Sequence, residues 1–427
     1  MIPDRLLEPA GFSLAALLRP GDEVVCGQAC AEPLTLTRQL VADCAVLQQP
    51  VRVFVGTLFS RTFDAAPATM RFRSYGAIGR ASVIADAGRL DVLPERYSRL
   101  ADLFASGTLP ADVVLLQAAP GEDGAPPSLG LACDYVLDAA RRARVVVVEV
   151  NPDVPWTHGT PWPDDLRVDH WVRAAQPPLT LEPPAPDAVA DRIALHVASI
   201  VPEGATLQVG VGSLPDATLQ ALRGHRWLGL HSGVLGDAGT QLIAAGAIDN
   251  SRKGVDAGIS VANTVCGSAT SYRFVHRNPA VQLRHSRQTH GAAVLRQLER
   301  LHAINGALEV DLSGQVNAEE LQGRQRGGVG GLLDFARAAR DSAGGRGITV
   351  LPATAAGGKA SRIVATLAGR PATIGRSDVD TVVTEYGIAQ LRDTPLAERA
   401  RRLIAIAAPE FRDALAAQWQ AARGASA

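Results

Sequence analysis

The chain has 427 residues, which is too long for one ordinary hydrophobic core, so we expect two or three domains. Hydrophobic residues make up 47% of the sequence and charged residues 20%, a balance typical of soluble globular proteins and not of disordered ones. The formal net charge of −1 excludes the strong positive charge that binding to nucleic acid or an anionic membrane would require.

The cysteines and the N-terminal segment indicate a cytoplasmic protein. The 5 cysteines are odd in number and irregularly spaced, so we expect no disulfide framework. Cys26 and Cys30 have no second Cys or His pair nearby, so no metal site is predicted and we expect buried thiols. The N-terminal sequence MIPDRLLEPA lacks the pattern of a signal peptide, and no apolar run is long enough to span a membrane.

Short apolar runs alternate with helical or loop segments through the first part of the chain. A short N-terminal helix is followed by a predicted strand in 21–28 and a predicted helix over 31–48. Further strands are predicted at Val51–Val55, Ala81–Ala85, Val113–Leu116 and Val145–Val150. Continuous apolar strands separated by helices imply a parallel sheet that is covered on both faces, so the fold class is α/β.

A proline-rich stretch, Pro152–Pro186, interrupts this pattern and is the predicted interdomain linker. A helix is predicted after it over 187–200, where apolar residues recur at helical spacing. We therefore predict an N-terminal α/β domain at 1–186 and a C-terminal α/β domain at 187–427.

The opening pattern of the chain returns after the linker. Gly21–Gly27 and Gly204–Gly210 both have the form of a strand that ends in glycine, and a proline follows each of them. This faint repeat predicts two open parallel-sheet domains of similar fold, packed face to face.

We expect the chemistry in Val209–Asp237, which has the pattern of a buried strand, a glycine turn, a helix and a second strand. The second strand is predicted to end at a glycine turn in His231-Ser232-Gly233. In an open α/β sheet the ligand crevice lies beyond the carboxyl ends of the strands, so both glycine turns would face it.

The rest of the second part continues the alternation of strands, loops and helices. Strands are predicted at Leu228–His231, Ala307–Leu312, Ile348–Leu351 and Thr381–Glu385, glycine-rich loops at Gly323–Gly331 and Ala353–Lys359, and closing helices at Leu396–Ile406 and Pro409–Ala422.

Seven segments in unbroken order resemble the acetyl-CoA hydrolase/CoA-transferase family, which includes acetate-, succinate- and 4-hydroxybutyrate-CoA transferases. They are Glu149–Gly159 (EVNPDVPWTHG), Gly204–Asp216 (GATLQVGVGSLPD), Ile304–Asn317 (INGALEVDLSGQVN), Gly328–Phe335 (GVGGLLDF), Gly358–Val364 (GKASRIV), Val382–Leu391 (VVTEYGIAQL) and Arg401–Arg412 (RRLIAIAAPEFR).

The resemblance implies two open α/β domains with the active site in the cleft between them, and coenzyme A, as an acyl-CoA, as the substrate. In family transferases a glutamate attacks the thioester to form an acyl-glutamyl anhydride. The CoA thiolate then returns to make a glutamyl-CoA thioester, which a second carboxylic acid resolves.

The sequence departs from the family at this glutamate. The family's His-Thr-Glu segment corresponds to His231-Ser232-Gly233, and glycine has no nucleophile. No glutamate occurs between Glu203 and Glu299, so a shift of register does not restore one. Asp237 matches the family's own aspartate and is a poor replacement. Loss of the side chain also leaves a space that water or a bulkier acceptor could occupy.

The binding apparatus is retained by resemblance. Gly330 and Gly331 would present backbone N–H groups to the thioester oxygen, and Asn305 would orient the acyl carbonyl. Residues predicted to bind the CoA chain are Gly210, Gly212, Ser213, Gly328 and Gly387.

Several of these residues have plainer alternatives. Gly233 could be a tight turn only. His231 could be the general base for an external nucleophile, or a structural histidine that matches the family's own. Cys266 could be a nucleophile, although no activating group neighbours it in the sequence.

We therefore predict an enzyme that passes the acyl group from a CoA thioester directly to water, an amine or an alcohol. One alternative is a conventional carboxylate CoA-transferase with a ping-pong mechanism, and another is an inactive CoA-binding partner protein. The expected partners are an acyl-CoA and an unidentified acceptor, with no nucleic acid and no membrane, and the family default is a homo-oligomer.

Overall fold

The computed structural model describes residues 2–122, 124–182, 185, 187–210 and 212–424. In chain order the first part of the chain contains β1 (Glu23–Cys26), α1 (Leu34–Leu47), β2 (Val51–Phe54), β3 (Met70–Ser74), α2 (Ala81–Asp86), β4 (Leu90–Val92), α3 (Tyr97–Ser106), β5 (Val113–Ala118), α4 (Val136–Arg142), β6 (Val145–Val150), β7 (His158–Gly159) and β8 (His170–Arg173).

The second part contains α5 (Ala188–Ala198), β9 (Thr206–Val209), α6 (Ser213–Ala221), β10 (Gly229–Leu235), α7 (Asp237–Ala244), β11 (Ser260–Val265), α8 (Ala269–Val275), β12 (Val281–Leu283), α9 (Ser286–Thr289), α10 (Ala292–Leu295), β13 (Leu301–Gly306), β14 (Glu309–Asp311), β15 (Val316–Asn317), β16 (Glu320–Leu321), β17 (Arg324–Gln325), α11 (Leu332–Asp341), β18 (Arg346–Val350), β19 (Thr354–Ala355), β20 (Ala360–Ser361), β21 (Ile363–Val364), β22 (Thr381–Thr384), β23 (Gly387–Gln390), α12 (Leu396–Ile406) and α13 (Pro409–Gly424).

Two large sheets organise the molecule. The first has the strand order β4-β3-β2-β1-β5-β6-β8, and every pairing in it is parallel. The second has the order β23-β22-β18-β13-β9-β10-β11-β12-β7 and is parallel except for the β22–β23 edge. The predicted α/β class with two parallel sheets is confirmed.

The faint sequence repeat corresponds to a shared topology. In each sheet the first strand, β1 or β9, has the second strand of its unit on one side and the fifth on the other. The orders β4-β3-β2-β1-β5-β6 and β12-β11-β10-β9-β13-β18 therefore match position by position. Both sheets reverse their winding beside the first strand, where open α/β sheets bind ligands.

Burial explains why the apolar runs form strands. All residues of β5, β6, β9 and β11 are buried, as expected for parallel strands with helices on both faces. Each fully buried Val or Leu side chain contributes roughly 1.5–3 kcal/mol to the stability of the folded protein.

One predicted strand is wrong. Ala81–Ala85 lies within helix α2, because Ala81 and Ile84 are buried while Val83 is 43% exposed. This spacing of three is helical, and a five-residue apolar run does not distinguish the two periods in the sequence. The predicted N-terminal helix is a single 3₁₀ turn at Pro9–Gly11.

The predicted strand Ala307–Leu312 is shorter than expected, because only β14 (Glu309–Asp311) forms within it. The main-sheet strand β13 ends at Gly306, and β14 pairs with β15 and β21 in a separate small sheet. Gly306 marks the change of direction between them.

The proline-rich stretch is not only a linker. Its β8 completes the edge of the first sheet beside β6, whereas β7 pairs with β12 at the edge of the second sheet. The predicted domain boundary at Pro186 lies outside the described residues and stays a prediction. Within the described ranges, no helix combines the length and apolar character needed to cross a membrane.

Candidate active site

A cavity of about 410 Å³, here called the central cavity, lies where the central strands of both sheets end. Gln28 follows β1, Gly210 follows β9, and Asn305 and Gly306 end β13, and all four line it. The cavity is thus at the carboxyl ends of the strands at both switch points, as expected for an open α/β sheet.

The glycine loop 327–331 closes the central cavity and is fastened to the first sheet. The backbone N–H of Ala77 donates to the Gly327 carbonyl at 2.8 Å, and that of Tyr97 donates to the Gly330 carbonyl at 2.9 Å. A Cβ atom on Gly328 would lie 2.7 Å from the Cα atom of Gly76, so the two backbones meet at a distance that only glycine permits.

The two predicted oxyanion donors differ in their surroundings. Gly330 forms a single parallel bridge with Arg96, and its carbonyl is already bonded. Gly331 is the residue before α11, where backbone N–H groups point out of the helix and carry a partial positive charge. No acceptor for the Gly331 N–H is found among the described residues, so this group is available to a ligand.

Gly233 lines the central cavity, but not in a turn. Strand β10 continues to Leu235 because Val234 and Leu235 pair with Thr264 and Val265 of β11. The predicted glycine turn at this residue is therefore wrong, and Gly233 has extended backbone inside the strand.

The space beside Gly233 is occupied by the imidazole of His290. A Cβ atom on Gly233 would lie 2.9 Å from His290 Nε2, and one on Gly331 would lie 2.8 Å from the same atom. The histidine ring therefore occupies the first part of the space expected for water or a bulky acceptor, although Gly233 still lines the central cavity. Sequence reasoning missed His290, since 57 residues separate it from Gly233 along the chain and no motif links them.

His290 is buried among aromatic rings. Its ring centroid is 4.7 Å from that of Tyr97 and 4.9 Å from that of Phe335. Its Nδ1 atom forms a hydrogen bond of 2.8 Å with Thr289 Oγ1. Burial lowers the pKa of His290 to about 3, so the imidazole is neutral at pH 7.

His231 lies behind Thr289, the residue that precedes His290, and is not part of the lining of the central cavity. Its Nε2 atom donates to the Thr289 carbonyl at 3.0 Å, and burial lowers its pKa to about 4. This contact holds the residue that precedes His290, so the geometry favours the structural alternative for His231 over the general-base one.

A buried polar network supports the wall of the central cavity on the side of the first sheet. Gln28 Nε2 donates to Tyr97 Oη at 2.8 Å and to Asp134 Oδ2 at 3.0 Å. Tyr97 Oη in turn donates to Asn263 Oδ1 at 2.8 Å, and Tyr75 Oη donates to Gln28 Oε1 at 2.9 Å. Because Asn263 belongs to β11, this network ties the two sheets together at the cavity.

Asn305 is held by a reciprocal pair of amide hydrogen bonds. Its Nδ2 donates to Gln208 Oε1 at 2.8 Å, and its Oδ1 accepts from Gln208 Nε2 at 3.1 Å. A Cβ atom on Gly210 would lie 2.9 Å from Asn305 Oδ1, so the glycine permits this close approach. Asn305 lines the central cavity with both its amide oxygen and its amide NH2 bonded to Gln208, and its role in orienting the acyl carbonyl stays a prediction.

A second cavity of about 570 Å³, here called the side cavity, adjoins the central one through Val209, Gly210, Val234 and Cys266, which line both. Gly212 and Ser213 at the start of α6 line it as well. Its described lining includes the acidic residues Glu182, Asp187, Asp191, Asp216 and Asp237 and no lysine or arginine. Burial, together with the neighbouring Asp237, raises the pKa of Asp216 to about 6.

The remaining predicted residues lie elsewhere. Gly387, in β23, packs beside Ile406 and lines neither cavity. The Asp237 carboxylate accepts hydrogen bonds from Ser268 and Ser271 at the start of α8, so its role is structural.

All five cysteines are buried and unpaired in disulfides, as predicted from their number and spacing. Cys266 lines both cavities, but a hydrogen bond to Cys30, together with burial, raises the pKa of its thiol. A neutral thiol is a weak nucleophile, so the structure gives no activation to Cys266.

Comparison with known proteins agrees with this architecture. The acetyl-CoA hydrolase/transferase N-terminal domain matches residues 10–166, and the C-terminal domain of the same family matches residues 267–419. The 4-hydroxybutyrate coenzyme A transferase of Clostridium kluyveri is 38% identical over 331 residues, which are 77% of each chain.

Solved structures are similar over almost the whole chain. RipA from Yersinia pestis has 28% sequence identity and a TM-score of 0.88, with 96% of both chains covered. A 4-hydroxybutyrate CoA-transferase from Porphyromonas gingivalis has 30% identity and a TM-score of 0.76, covering 96% of this chain and 97% of that one. The chain therefore belongs to the acetyl-CoA hydrolase/transferase family.

Proposed function

We propose that this protein cleaves acyl-CoA thioesters in the central cavity, where the backbone N–H of Gly331 binds the reacting carbonyl oxygen. The observation that carries this proposal is the backbone N–H of Gly331 at the start of α11, which has no acceptor among the described residues and belongs to the lining of a cavity where both sheets end. A thioester carbonyl oxygen gains negative charge as it is attacked, and a preorganised backbone donor stabilises that charge.

The uncharged arm of CoA would bind in the side cavity. It opens into the central cavity beside Gly210, and its volume of about 570 Å³ is within the range of small-molecule sites. Its acidic lining is unfavourable for phosphates, so the nucleotide end of CoA would lie beyond Asp216 and Asp237. Gly210, Gly212 and Ser213 keep their predicted roles beside the chain, whereas the position of Gly387 lends no support to such a role.

The relatives favour CoA transfer between carboxylic acids as the overall reaction. The Clostridium kluyveri relative is a 4-hydroxybutyrate coenzyme A transferase, and we propose the same reaction class as the first candidate here. The described lining of the central cavity contains no aspartate or glutamate. We therefore propose that the acceptor carboxylate attacks the thioester directly while both substrates are bound, which expels CoA thiolate and forms a mixed anhydride without a glutamyl intermediate. The thiolate then attacks the acceptor's carbonyl carbon in the anhydride, which gives the new acyl-CoA and releases the original acid as its carboxylate.

The second candidate is direct attack by water, an alcohol or an amine. The same absence of a carboxylate at Gly233 favours it, because the cavity wall then offers no competing nucleophile to an external one. Both candidates share the Gly331 donor and cleavage of the carbon–sulfur bond of the thioester, and they differ in the acceptor.

A mass-resolved assay of the purified protein with a panel of acyl-CoAs, each with and without acetate or succinate, separates these candidates. A new acyl-CoA formed only with added carboxylate supports CoA transfer, and its initial rates should follow a sequential pattern. Free CoA and acid without added carboxylate support hydrolysis. CoA binding without any turnover would sink both candidates and leave the CoA-binding partner protein.

A further inference from the structure

Gly233 and Gly331 share one neighbour, the imidazole of His290. A Cβ atom on Gly331 would lie 2.7 Å from its Cδ2 and 2.8 Å from its Nε2, and one on Gly233 would lie 2.9 Å from Nε2. Real Cβ atoms do not approach other atoms this closely, so each glycine makes room for the ring. The imidazole stands where a side chain of residue 233 would begin.

The surroundings of Thr289 allow a tautomer of His290 in which Nδ1 carries the proton. Thr289 Oγ1 lies 2.8 Å from His290 Nδ1 and 3.4 Å from the Ser286 carbonyl. We assign the tautomer in which the Thr289 hydroxyl donates to this carbonyl and His290 Nδ1–H donates to Oγ1. Nε2 is left with its lone pair.

The Nε2 atom faces the central cavity. Within the described ranges it has no hydrogen-bond partner, it is not sealed from solvent, and His290 belongs to the cavity lining. Tyr97 and Phe335 pack on the ring, and His231 holds the Thr289 carbonyl, so the lone pair keeps one direction. A neutral imidazole with a nitrogen lone pair at a cavity can accept a proton, although burial lowers the pKa of His290 to about 3 and makes it a weaker base than an exposed histidine.

We propose that His290 is the catalytic base that activates the external nucleophile, an inference that rests on the proposed cleavage of acyl-CoA. Nε2 takes a proton from water, an alcohol or an amine while the oxygen or nitrogen of that group bonds to the thioester carbonyl carbon. The carbon–sulfur bond then breaks, and the departing thiolate receives the proton from the imidazolium. With water the products are the carboxylic acid and CoA, and His290 returns to its neutral form.

A base at His290 matters for some acceptors and not for others. Water, alcohols and amines carry a proton that must leave as they attack, whereas a carboxylate carries none. Hydrolysis should therefore depend on His290, and CoA transfer to an added carboxylate should depend on it much less.

The test compares His290→Ala with the wild-type protein in acyl-CoA hydrolysis, with or without added imidazole. We expect kcat to fall by at least about tenfold, while the affinity for CoA changes by less than about threefold. The loss should lie at or below the lower end of the ~10²–10⁴-fold range for general bases, because burial lowers the pKa of His290. Free imidazole should restore part of kcat in a saturable way, because the substitution leaves a space that an imidazole molecule fits. A structural role would not respond to imidazole.

His302→Ala is the matched control. His302 is also a buried histidine, with Nδ1 bonded to the Arg300 carbonyl at 2.9 Å, but it does not line the central cavity. Its substitution should leave kcat within about twofold of the wild type and insensitive to imidazole. If His290→Ala does not fold, His290→Gln provides the same comparison with a side chain that preserves packing volume.

Hydrolysis that survives in His290→Ala within about threefold overturns the proposal, as does a loss that imidazole does not restore. An acyl group found covalently on His290 by mass spectrometry also overturns it, because the residue would then be a nucleophile. If the wild-type protein neither releases CoA nor forms a new acyl-CoA, the proposed function has failed, whatever the variants do. Transfer of CoA to an added carboxylate without any hydrolysis, alcoholysis or aminolysis supports the proposed function and overturns the role of His290.

Discussion

The Nε2 atom of His290 lies 2.9 Å from the position that a Cβ atom on Gly233 would take. A side chain at position 233 and the imidazole at position 290 therefore cannot occupy their places at the same time. The glycine at position 233 does more than remove a nucleophilic side chain. It is the residue that allows a buried imidazole to reach the central cavity, and the two positions should behave as a coupled pair.

Gly233→Ala should destabilise the protein, although alanine normally suits a strand better than glycine does. The added methyl group forces the His290 ring out of its position, at a cost of about 1–3 kcal/mol for overpacking. In the His290→Ala background the same substitution should be neutral or stabilise by up to about 1 kcal/mol. Chemical denaturation of the four proteins measures this reversal of sign, and equal effects of Gly233→Ala in both backgrounds would contradict the coupling.

Gly233→Glu alone should not create a glutamyl transferase, because the new side chain would have to pass through the imidazole. Gly233→Glu combined with His290→Ala should gain carboxylate-dependent exchange of CoA, with a covalent glutamyl-CoA thioester detectable by mass spectrometry. Gly233→Gln combined with His290→Ala is the control of equal size without a carboxylate. Exchange in that control, or in the single variant, would be inconsistent with this geometry.

The neutral state of His290 should make the folded protein sensitive to acid. The folded pKa is about 3 and the unfolded value is 6.5, so between these values only the unfolded chain binds the proton. Stability from this residue is complete above pH 6.5 and is lost as the pH falls towards 3, by at most about 1.4 kcal/mol per pH unit.

Other buried groups titrate in the same range, so the comparison must be made with a variant. His231, with a pKa of about 4, acts in the same direction, whereas Glu149 and Asp216, whose burial raises their pKa to about 7 and about 6, act in the opposite one. The free energy of unfolding of His290→Gln, measured from pH 4 to pH 8, should fall less steeply below pH 6.5 than that of the wild type. Parallel profiles would show that His290 is not buried in its neutral form.

Gly328→Ala should disturb the junction between the sheets. Its Cβ atom would lie 2.7 Å from Gly76 Cα and 2.7 Å from the Tyr75 carbonyl oxygen, and backbone atoms cannot move aside without separating the two halves. We expect a loss of about 1–3 kcal/mol in the free energy of unfolding, and reduced turnover because the loop also carries Gly331. Gly375→Ala, where nothing lies within 4 Å of the added atom, is the control and should unfold like the wild type.

The sequence by itself determined the class of fold and the place of the chemistry. Val113–Ala118 and Val145–Val150 are buried along their whole length, and such continuous apolar runs suit only strands covered on both faces. The carboxyl end of β9 at Gly210 was predicted to face a ligand crevice, and it lines both cavities, because parallel strands bring their carboxyl ends to one edge.

Only the tertiary structure decided what stands beside Gly233. The pairing of Val234 and Leu235 with β11 turned an expected loop glycine into a strand residue, and such long-range pairing leaves no local mark in the sequence. Likewise, His290 reaches Gly233 and Gly331 from a separate part of the chain, through packing that depends on the space around glycine. Local patterns are set by neighbours along the chain, whereas the identity of the reacting groups is set by neighbours in space.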